Sequence, residues 1–305
     1  MAAEAALRQE NFVDRLLIVD GHAYAYRAFY AIRALRSPSG RPTNAIYGFV
    51  KMLDKMRAAL LPSHGMVVWD GGLCAERVAA LPEYKAQRPE MPDDLREQLD
   101  GIAAYLAAAG VASFCQDGIE ADDYIGCLAR HGADAGMSVV IASSDKDFMQ
   151  LVSARVGLLN PSDKEPAVWT AEQVRAKTGV EPGQIVDWLS LTGDNVDNIA
   201  GVPGVGPKTA ADLLKRFGSV GALYERLDEV ASERLRGALR ASAEVVRRNR
   251  ELVRLRELPC EFGAGRLSFR PPDTGRLREL YGQWGFKGML AALEGAADGR
   301  QAVLI

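Results

Sequence analysis

The chain has 305 residues, 48% of them apolar and 25% charged, with a net charge of −3. That length supports one large domain or two intimate ones, and that composition excludes a disordered or low-complexity protein. No apolar run approaches the roughly 18 residues of a membrane span, and Met1–Phe12 has no signal-peptide core, so a membrane protein is excluded and a cytoplasmic location is expected.

The first element is the apolar run Arg15–Asp20, a buried strand with an acid at its carboxyl tip. A helical pattern follows at 23–34 and a longer one at 44–60. Residues 66–70 repeat the strand-then-Asp pattern. Residues 71–92 form a loop too long for a routine connection. Helix 93–109, strand 111–115, helix 121–132 and strand 138–142 come next. Strands alternating with helices of this length imply an α/β fold with a parallel central sheet and helices on both faces. Ligands bind at the carboxyl ends of such strands, where Asp20 and Asp70 stand. From about Thr170 the pattern becomes helical: 171–178, 182–191, 207–217, 220–227 and one long stretch at 231–255. The expected organisation is a core at 13–169 with an arch loop at about 71–92, and a helical region at 170–293 with a helix–hairpin–helix at about 185–217. Residues 294–305 read as a loose tail. Cys74, Cys115, Cys127 and Cys260 are widely spaced with no CxxC pair, and read as buried free thiols.

Acids recur where the chain turns. Beyond Asp20 and Asp70, Glu120, Asp122 and Asp123 open a helix, Asp145 and Asp147 follow a strand, and Asp194 and Asp197 follow an apolar helix. Singly, each acid is better read as a cap or turn residue. Jointly, like charges at this density need cations. Asp145 and Asp147, two apart on extended chain, would point the same way, and Asp194 and Asp197, three apart, would share a helical face. Asp122 and Asp123 point in different directions, one toward a metal and one toward a supporting layer. An all-oxygen donor set suits Mg2+ or Mn2+, and the three histidines (His22, His64, His131) support no His-based site. Two ions about 3.5–4 Å apart are the common solution for phosphodiester cleavage.

Residues 201–260 carry 12 Lys/Arg against 8 Asp/Glu, so a basic rim coexists with the acidic pocket. Within it, Gly201, Gly204 and Gly206 precede Pro207 and Lys208, a hairpin suited to a DNA phosphate at a helix N-terminus. The 71–92 loop carries Arg77, Tyr84, Lys85 and Arg88, which combine a stacking ring with phosphate-binding cations. Tyr24, Tyr26, Phe29 and Tyr30 fit a core better than a base stack. Arg27 among them suits either a substrate phosphate or a structural ion pair.

Together these residues resemble the 5′ nuclease (flap endonuclease) family, most of all the 5′–3′ exonuclease domain of bacterial DNA polymerase I. The matching blocks are Val19–Ala23, Tyr26-Arg27, Trp69-Asp70, Tyr84–Arg88, Glu120–Asp123, Ser144–Asp147, Leu191–Asn198 and the glycine hairpin. The resemblance runs from Leu16 to about Leu293. It implies a helical arch over the active site and metal ligation by Asp20, Asp70, Glu120, Asp122, Asp123, Asp145, Asp147, Asp194 and Asp197. Asp20, Asp70, Glu120, Asp122 and Asp145 would lie nearer one ion, and Asp147, Asp194 and Asp197 nearer the other. Lys85, Arg88 and Asp145 would be catalytic, and backbone carbonyls of the hairpin would hold K+. Glu76 departs from the family pattern, which has an aromatic residue before Arg77. No polymerase domain follows, so the chain reads as a standalone nuclease.

The function this implies is a structure-specific 5′–3′ exonuclease and 5′-flap endonuclease, cutting DNA by two-metal hydrolysis in replication and repair. Its partners would be DNA with 5′ flaps, nicks or free 5′ ends and a DNA polymerase acting in trans, and the chain would be a monomer. The competing reading is a non-catalytic, structure-specific DNA-binding relative, which the retained Asp147, Asp194 and Asp197 disfavour.

Overall fold

The computed structural model describes residues 14–161, 167–260 and 262–297. In chain order the elements are β1 (Arg15–Asp20), α1 (Gly21–Ala31), α2 (Asn44–Leu60), β2 (His64–Val68), α3 (Ala75–Ala80), α4 (Asp93–Ala108), β3 (Ala112–Phe114), α5 (Ala121–Asp134) and β4 (Ser138–Ala142). A 3-10 turn (Lys146–Leu151) leads to β5 (Val156–Leu159), β6 (Val168–Trp169), α6 (Ala171–Thr178), α7 (Ile185–Thr192), β7 (Gly193–Asp194) and β8 (Ile199–Ala200). The rest is helical: α8 (Pro207–Phe217), α9 (Val220–Glu225), α10 (Glu233–Ala241), α11 (Ala243–Val253), α12 (Ala264–Leu267), α13 (Thr274–Trp284) and α14 (Lys287–Ala297).

The chain divides into two compact units that interleave in sequence. One holds residues 14–69, 91–114 and 262–297. Its strands β1, β2 and β3 are parallel, with Leu16 opposite His64, Asp20 opposite Val68, and Val68 opposite Phe114. β1 and β2 are almost wholly buried because their residues are apolar on both faces. Helix α2 buries Ile46, Phe49, Val50, Leu53 and Met56, the helical spacing of a core-facing stripe. Leu61 ends it in the left-handed region, with φ of 46°. Tyr24 of α1 is in the core, but Tyr30 is 67% exposed and stacks on Tyr26, so the aromatic run is not all core.

The other unit holds Asp70–Glu90 and residues 115–161 and 167–260. There β4 and β5 run parallel, and β6 returns antiparallel on β5. Among the described residues the longer strands thus run parallel, as expected, while β6 on β5 and the two-residue pair β7–β8 are antiparallel. A capping box of Thr170 and Gln173 starts α6, and Gly179 ends it with φ of 81°. The expected single helix at 231–255 is two helices, α10 and α11, because Ser242 closes the first and opens the second. Gly295–Ala297 belong to α14 rather than to a loose tail; the rest of that expectation, like the N-terminal stretch before Asp14, lies outside the described residues.

The cysteines need the largest correction. Cys127 and Cys260 form a disulfide, Cys115 is an exposed thiol, and only Cys74 is a buried free thiol. The pair is 133 residues apart in sequence, a separation no local motif announces.

Candidate active site

Eight of the nine acids lie in the second unit. Asp70 follows β2, and its Oδ1 accepts from the Gly72 N–H at 2.8 Å. Two backbone bonds, Gly71 N–H to Ile119 O at 3.0 Å and Gly118 N–H to Gly71 O at 2.9 Å, tie this turn to the loop that opens α5. Glu120 is the N-cap residue of α5, and Asp122 and Asp123 fill its first turn, where the helix dipole favours carboxylates. The ninth acid, Asp20, ends β1 in the other unit and caps α1 through Ala23 N–H at 3.0 Å.

Arg77, expected at the DNA, is buried against protein acceptors here. It is 5% exposed, and its five N–H donors meet five protein acceptors. Two go to Asp123 at 2.9 and 2.8 Å, one to Glu120, and two to the carbonyls of Leu252 and Arg254 at 3.0 Å. Burial opposes its charge, but Asp123 and Glu120 more than compensate and raise its pKa. The Arg256 N–H also donates to Asp123 at 2.9 Å. Both oxygens of Asp123 are therefore held by protein donors. Glu76, the departure from the family pattern, pairs with Arg256 at 3.0 Å.

The 71–92 segment, expected as an arch loop, opens with the short helix α3. After α3 it continues in turns through residues 82–87. Lys85 is 4% exposed, with Nζ 3.2 Å from Glu120, 3.7 Å from Asp122 and 4.0 Å from Asp197. Burial works against the ammonium, but Asp122, Asp197 and Glu120 hold it charged and raise its pKa. Its backbone sits in the left-handed region at φ 57°, costing about 1 kcal/mol. Two bonds stitch this turn to residues 195–198: Lys85 N–H to Asp197 O at 3.0 Å and Asn198 Nδ2 to Glu83 O at 2.9 Å. Tyr84, also buried, brings its hydroxyl to 3.4 Å from both Glu120 and Asp197, so its ring is not presented for stacking. Arg88 is more exposed and donates to Asp197 at 2.7 Å.

The remaining acids meet from two directions. Asp145 is extended, but Asp147 is inside the 3-10 turn that Asp145 caps, and Asp145 accepts from the Asp147 N–H at 2.9 Å. Asp194 accepts from the Val196 N–H at 2.9 Å, and Lys146 Nζ lies 3.1 Å from it. Asp147, Asp194 and Asp197 each place an oxygen within 4.8 Å of the others, and all three are buried. The Asp147 Oδ1 has no hydrogen-bond partner. Burial first, and Asp145 second, push the Asp147 carboxyl well above its ordinary range; burial likewise raises Asp145. An unpartnered buried carboxylate oxygen facing two more carboxylates fits a hard divalent cation. Lys146, which the sequence reading passed over, lies between two of the acids and could have been noticed from that position.

The glycine hairpin joins α7 to α8 through the β7–β8 pair. Gly201 has a structural reason: a Cβ there would lie 2.3 Å from the Thr192 carbonyl group, and one at Gly193 2.4 Å from Gly201 N. Gly204, at φ 80°, and Gly206 face open space. Lys208 is exposed in the first turn of α8 and lines a groove of about 450 Å3 with Lys177 and Lys215. Arg27 is exposed on α1, in the other unit.

Residues 15–179 match the 5′-3′ exonuclease N-terminal resolvase-like domain, and residues 180–275 match the 5′-3′ exonuclease C-terminal SAM fold. The chain belongs to the 5′-3′ exonuclease family. The 5′-3′ exonuclease of Aquifex aeolicus is 38% identical over 92% of this chain and 95% of its own length. DNA polymerase I of Bacillus caldotenax is 37% identical over 92% of this chain, which spans only 32% of that relative. The solved T5 5′-exonuclease with bound divalent zinc ions is 25% identical, with a TM-score of 0.65 over 78% of this chain and 89% of that one. This 5′-3′ exonuclease family member is thus a nuclease enzyme with a carboxylate cluster suited to divalent metal. No helix among its described residues is long and apolar enough to cross a membrane.

Proposed function

We propose that this enzyme hydrolyses DNA at free 5′ ends and at the base of 5′ flaps, using two Mg2+ or Mn2+ ions, in replication and repair alongside a DNA polymerase. The observation that carries this is the convergence of Asp147, Asp194 and Asp197, all buried, with one Asp147 oxygen lacking a hydrogen-bond partner. These three would hold one ion. Asp70, Asp122 and Asp145 would serve the other, and Asp20 is retained as a ligand on the family resemblance alone. When bound, such ions activate water and neutralise charge on the scissile phosphate and leaving oxygen. Glu120 and Asp123 then act mainly by fixing Arg77 and Lys85. Lys85 and Arg88, ion-paired to acids here, are placed to exchange a carboxylate for a substrate phosphate. Gly204, Gly206 and Lys208, beside Lys177 and Lys215, would hold duplex backbone without reading bases, with K+ at the hairpin as in the family.

The test is one gel. A 5′-flap duplex, a nicked duplex and a single strand are each incubated with Mg2+ and with EDTA. Cleavage of flap and nick, with 5′-phosphate products and only in Mg2+, is the expected result. Cleavage that persists in EDTA, or failure to cut the flap in Mg2+, would sink the reading.

A further inference from the structure

Away from the carboxylates, one cluster of side chains has chemistry that hydrolysis does not use. Cys127, on α5, is joined by a disulfide to Cys260, at the end of the irregular segment that follows α11. His131, one helical turn beyond Cys127, places Nδ1 3.4 Å from both sulfurs and 2.9 Å from the Cys127 carbonyl oxygen. Cys127 is buried, Cys260 is half-buried and His131 is exposed, so solvent reaches the cluster from the Cys260 side.

What the disulfide holds is the segment 254–260. That segment lies on α5 through Arg130, which donates to the Leu255 carbonyl at 3.1 Å and the Arg256 carbonyl at 3.4 Å. Leu255 N–H donates to Gln150 at 3.1 Å, and two more bonds run to the acid cluster: Arg254 O accepts from Arg77 at 3.0 Å, and Arg256 N–H donates to Asp123 at 2.9 Å. The Arg256 side chain reaches Cys74 and Glu76 at the start of α3. The disulfide thus fastens one end of a segment whose other end positions two residues beside the carboxylates.

We propose that Cys127–Cys260 is a reversible thiol–disulfide exchange site for low-molecular-weight thiols and disulfides of the glutathione class, and that its oxidised form clamps segment 254–260 onto α5. An external thiolate attacks the more accessible Cys260 Sγ. The Sγ–Sγ bond breaks, its electron pair leaves on Cys127 Sγ, and a proton from solvent reaches that sulfur by way of the neighbouring His131 ring. A second external thiolate then attacks the outer sulfur of the mixed disulfide, releasing the Cys260 thiolate, which is protonated by water. Two external thiols are oxidised to one disulfide, and the protein disulfide is reduced to two thiols. The same steps in reverse, with an external disulfide as oxidant, close the clamp. Attack at Cys260 and proton delivery to Cys127 are both set by the geometry: the first by exposure, the second by the shared imidazole.

The experiment equilibrates the whole chain across ratios of reduced to oxidised glutathione. Intact mass, thiol titration in denaturant, and melting temperature are read at each ratio. The oxidised fraction is expected to change within the accessible range. The oxidised form should melt about 5–10 °C higher than the reduced form, as expected for closing so long a loop. Cys127→Ser and Cys260→Ser should each melt with the reduced wild type and lose the redox response. His131→Gln should keep the disulfide but exchange about tenfold more slowly. A purely structural disulfide would leave that rate unmoved. Flap cleavage should be about 2–10-fold slower in the reduced form; this arm rests on the nuclease reading, whereas the mass and melting arms do not. Thiols that stay unoxidised in oxidised glutathione overturn the proposal. So does a zinc ion that co-purifies with both thiols intact, or a disulfide that ignores every glutathione ratio.

Discussion

Glu120 and Asp123 sit a few residues from Asp122 at the head of α5, yet they live differently from Asp147, Asp194 and Asp197. The first two are answered by built-in cations and N–H groups: Arg77 grips both, Lys85 adds a contact to Glu120, and the Arg256 N–H adds one to Asp123. Among the second three, Asp194 borrows Lys146 and Asp197 borrows Arg88, while Asp147 keeps an oxygen with no partner in a buried place. Burial with a guanidinium makes an acid part of the scaffold. Burial without one makes it a demand for a cation. The same chemical group thus serves as structure or as site according to whether the protein supplies its own countercharge, and each consequence can be tested.

The largest effect is expected at the undercompensated side. Asp145→Asn should lower flap cleavage at least about 1,000-fold while leaving flap binding intact or tighter, since it removes an ion-holding charge and some repulsion of phosphate. Single-turnover cleavage and binding in Ca2+ measure the two. A variant that cuts within about tenfold of wild type would place the reaction elsewhere. Lys85→Ala comes next. Lys85 neutralises acids here; if it also meets the scissile phosphate as proposed, its loss should slow single-turnover cleavage about 100-fold at saturating enzyme. A rate equal to wild type under saturation would reduce Lys85 to a binding element.

The scaffold side breaks differently. Arg77→Met leaves Glu120 and Asp123 buried without their guanidinium, at a cost of about 3–5 kcal/mol in urea unfolding with EDTA present. Mg2+ should not rescue it, because the scaffold acids are not where the ion belongs. Rescue by Mg2+, or a cost below about 1 kcal/mol, would erase the distinction between the two groups.

How much of this could be read from the chain alone follows from the range of each interaction. β1, β4, α2, α6 and α8 fall where expected, because each has its own signal: an apolar run, an apolar stripe, or a proline or capping box at its start. The grouping of Asp147, Asp194 and Asp197 comes through the family resemblance alone, since nothing local to 145–147 or 194–197 says that the two turns meet. β5 and β6 were not read, being four and two residues long with no alternation to detect. Nor was the burial of Arg77: its carbonyl partners at Leu252 and Arg254 lie 175 and 177 residues away. A cation in a polar loop looks like a ligand for phosphate until the fold supplies something else for it to hold. The same blindness hid the Cys127–Cys260 pair.

The smallest effect is the most specific to the comparison. Asp147 has its pKa raised by burial and by Asp145, so the folded chain binds its proton more tightly than the unfolded chain does. Its contribution to stability is fully present below the ordinary carboxylate range, about pH 4, and is lost as pH rises through the folded value. Asp147→Asn removes that titration. In EDTA at pH 8 the variant should melt about 2–4 °C above wild type, and the advantage should fade as the pH falls toward 4. Adding Mg2+ at pH 8 should reverse the order, because only the wild type gains an ion that binds the folded form. Asp123→Asn, at the compensated acid, should show neither the gain in EDTA nor the reversal, since it replaces one oxygen that accepts from Arg77 with an NH2 that cannot accept. Melting curves of the three proteins at pH 4, 6 and 8, with and without Mg2+, settle it. If Asp147→Asn is destabilised in EDTA at pH 8, its carboxylate is already satisfied within the protein, and the cluster has no vacancy for a cation to fill.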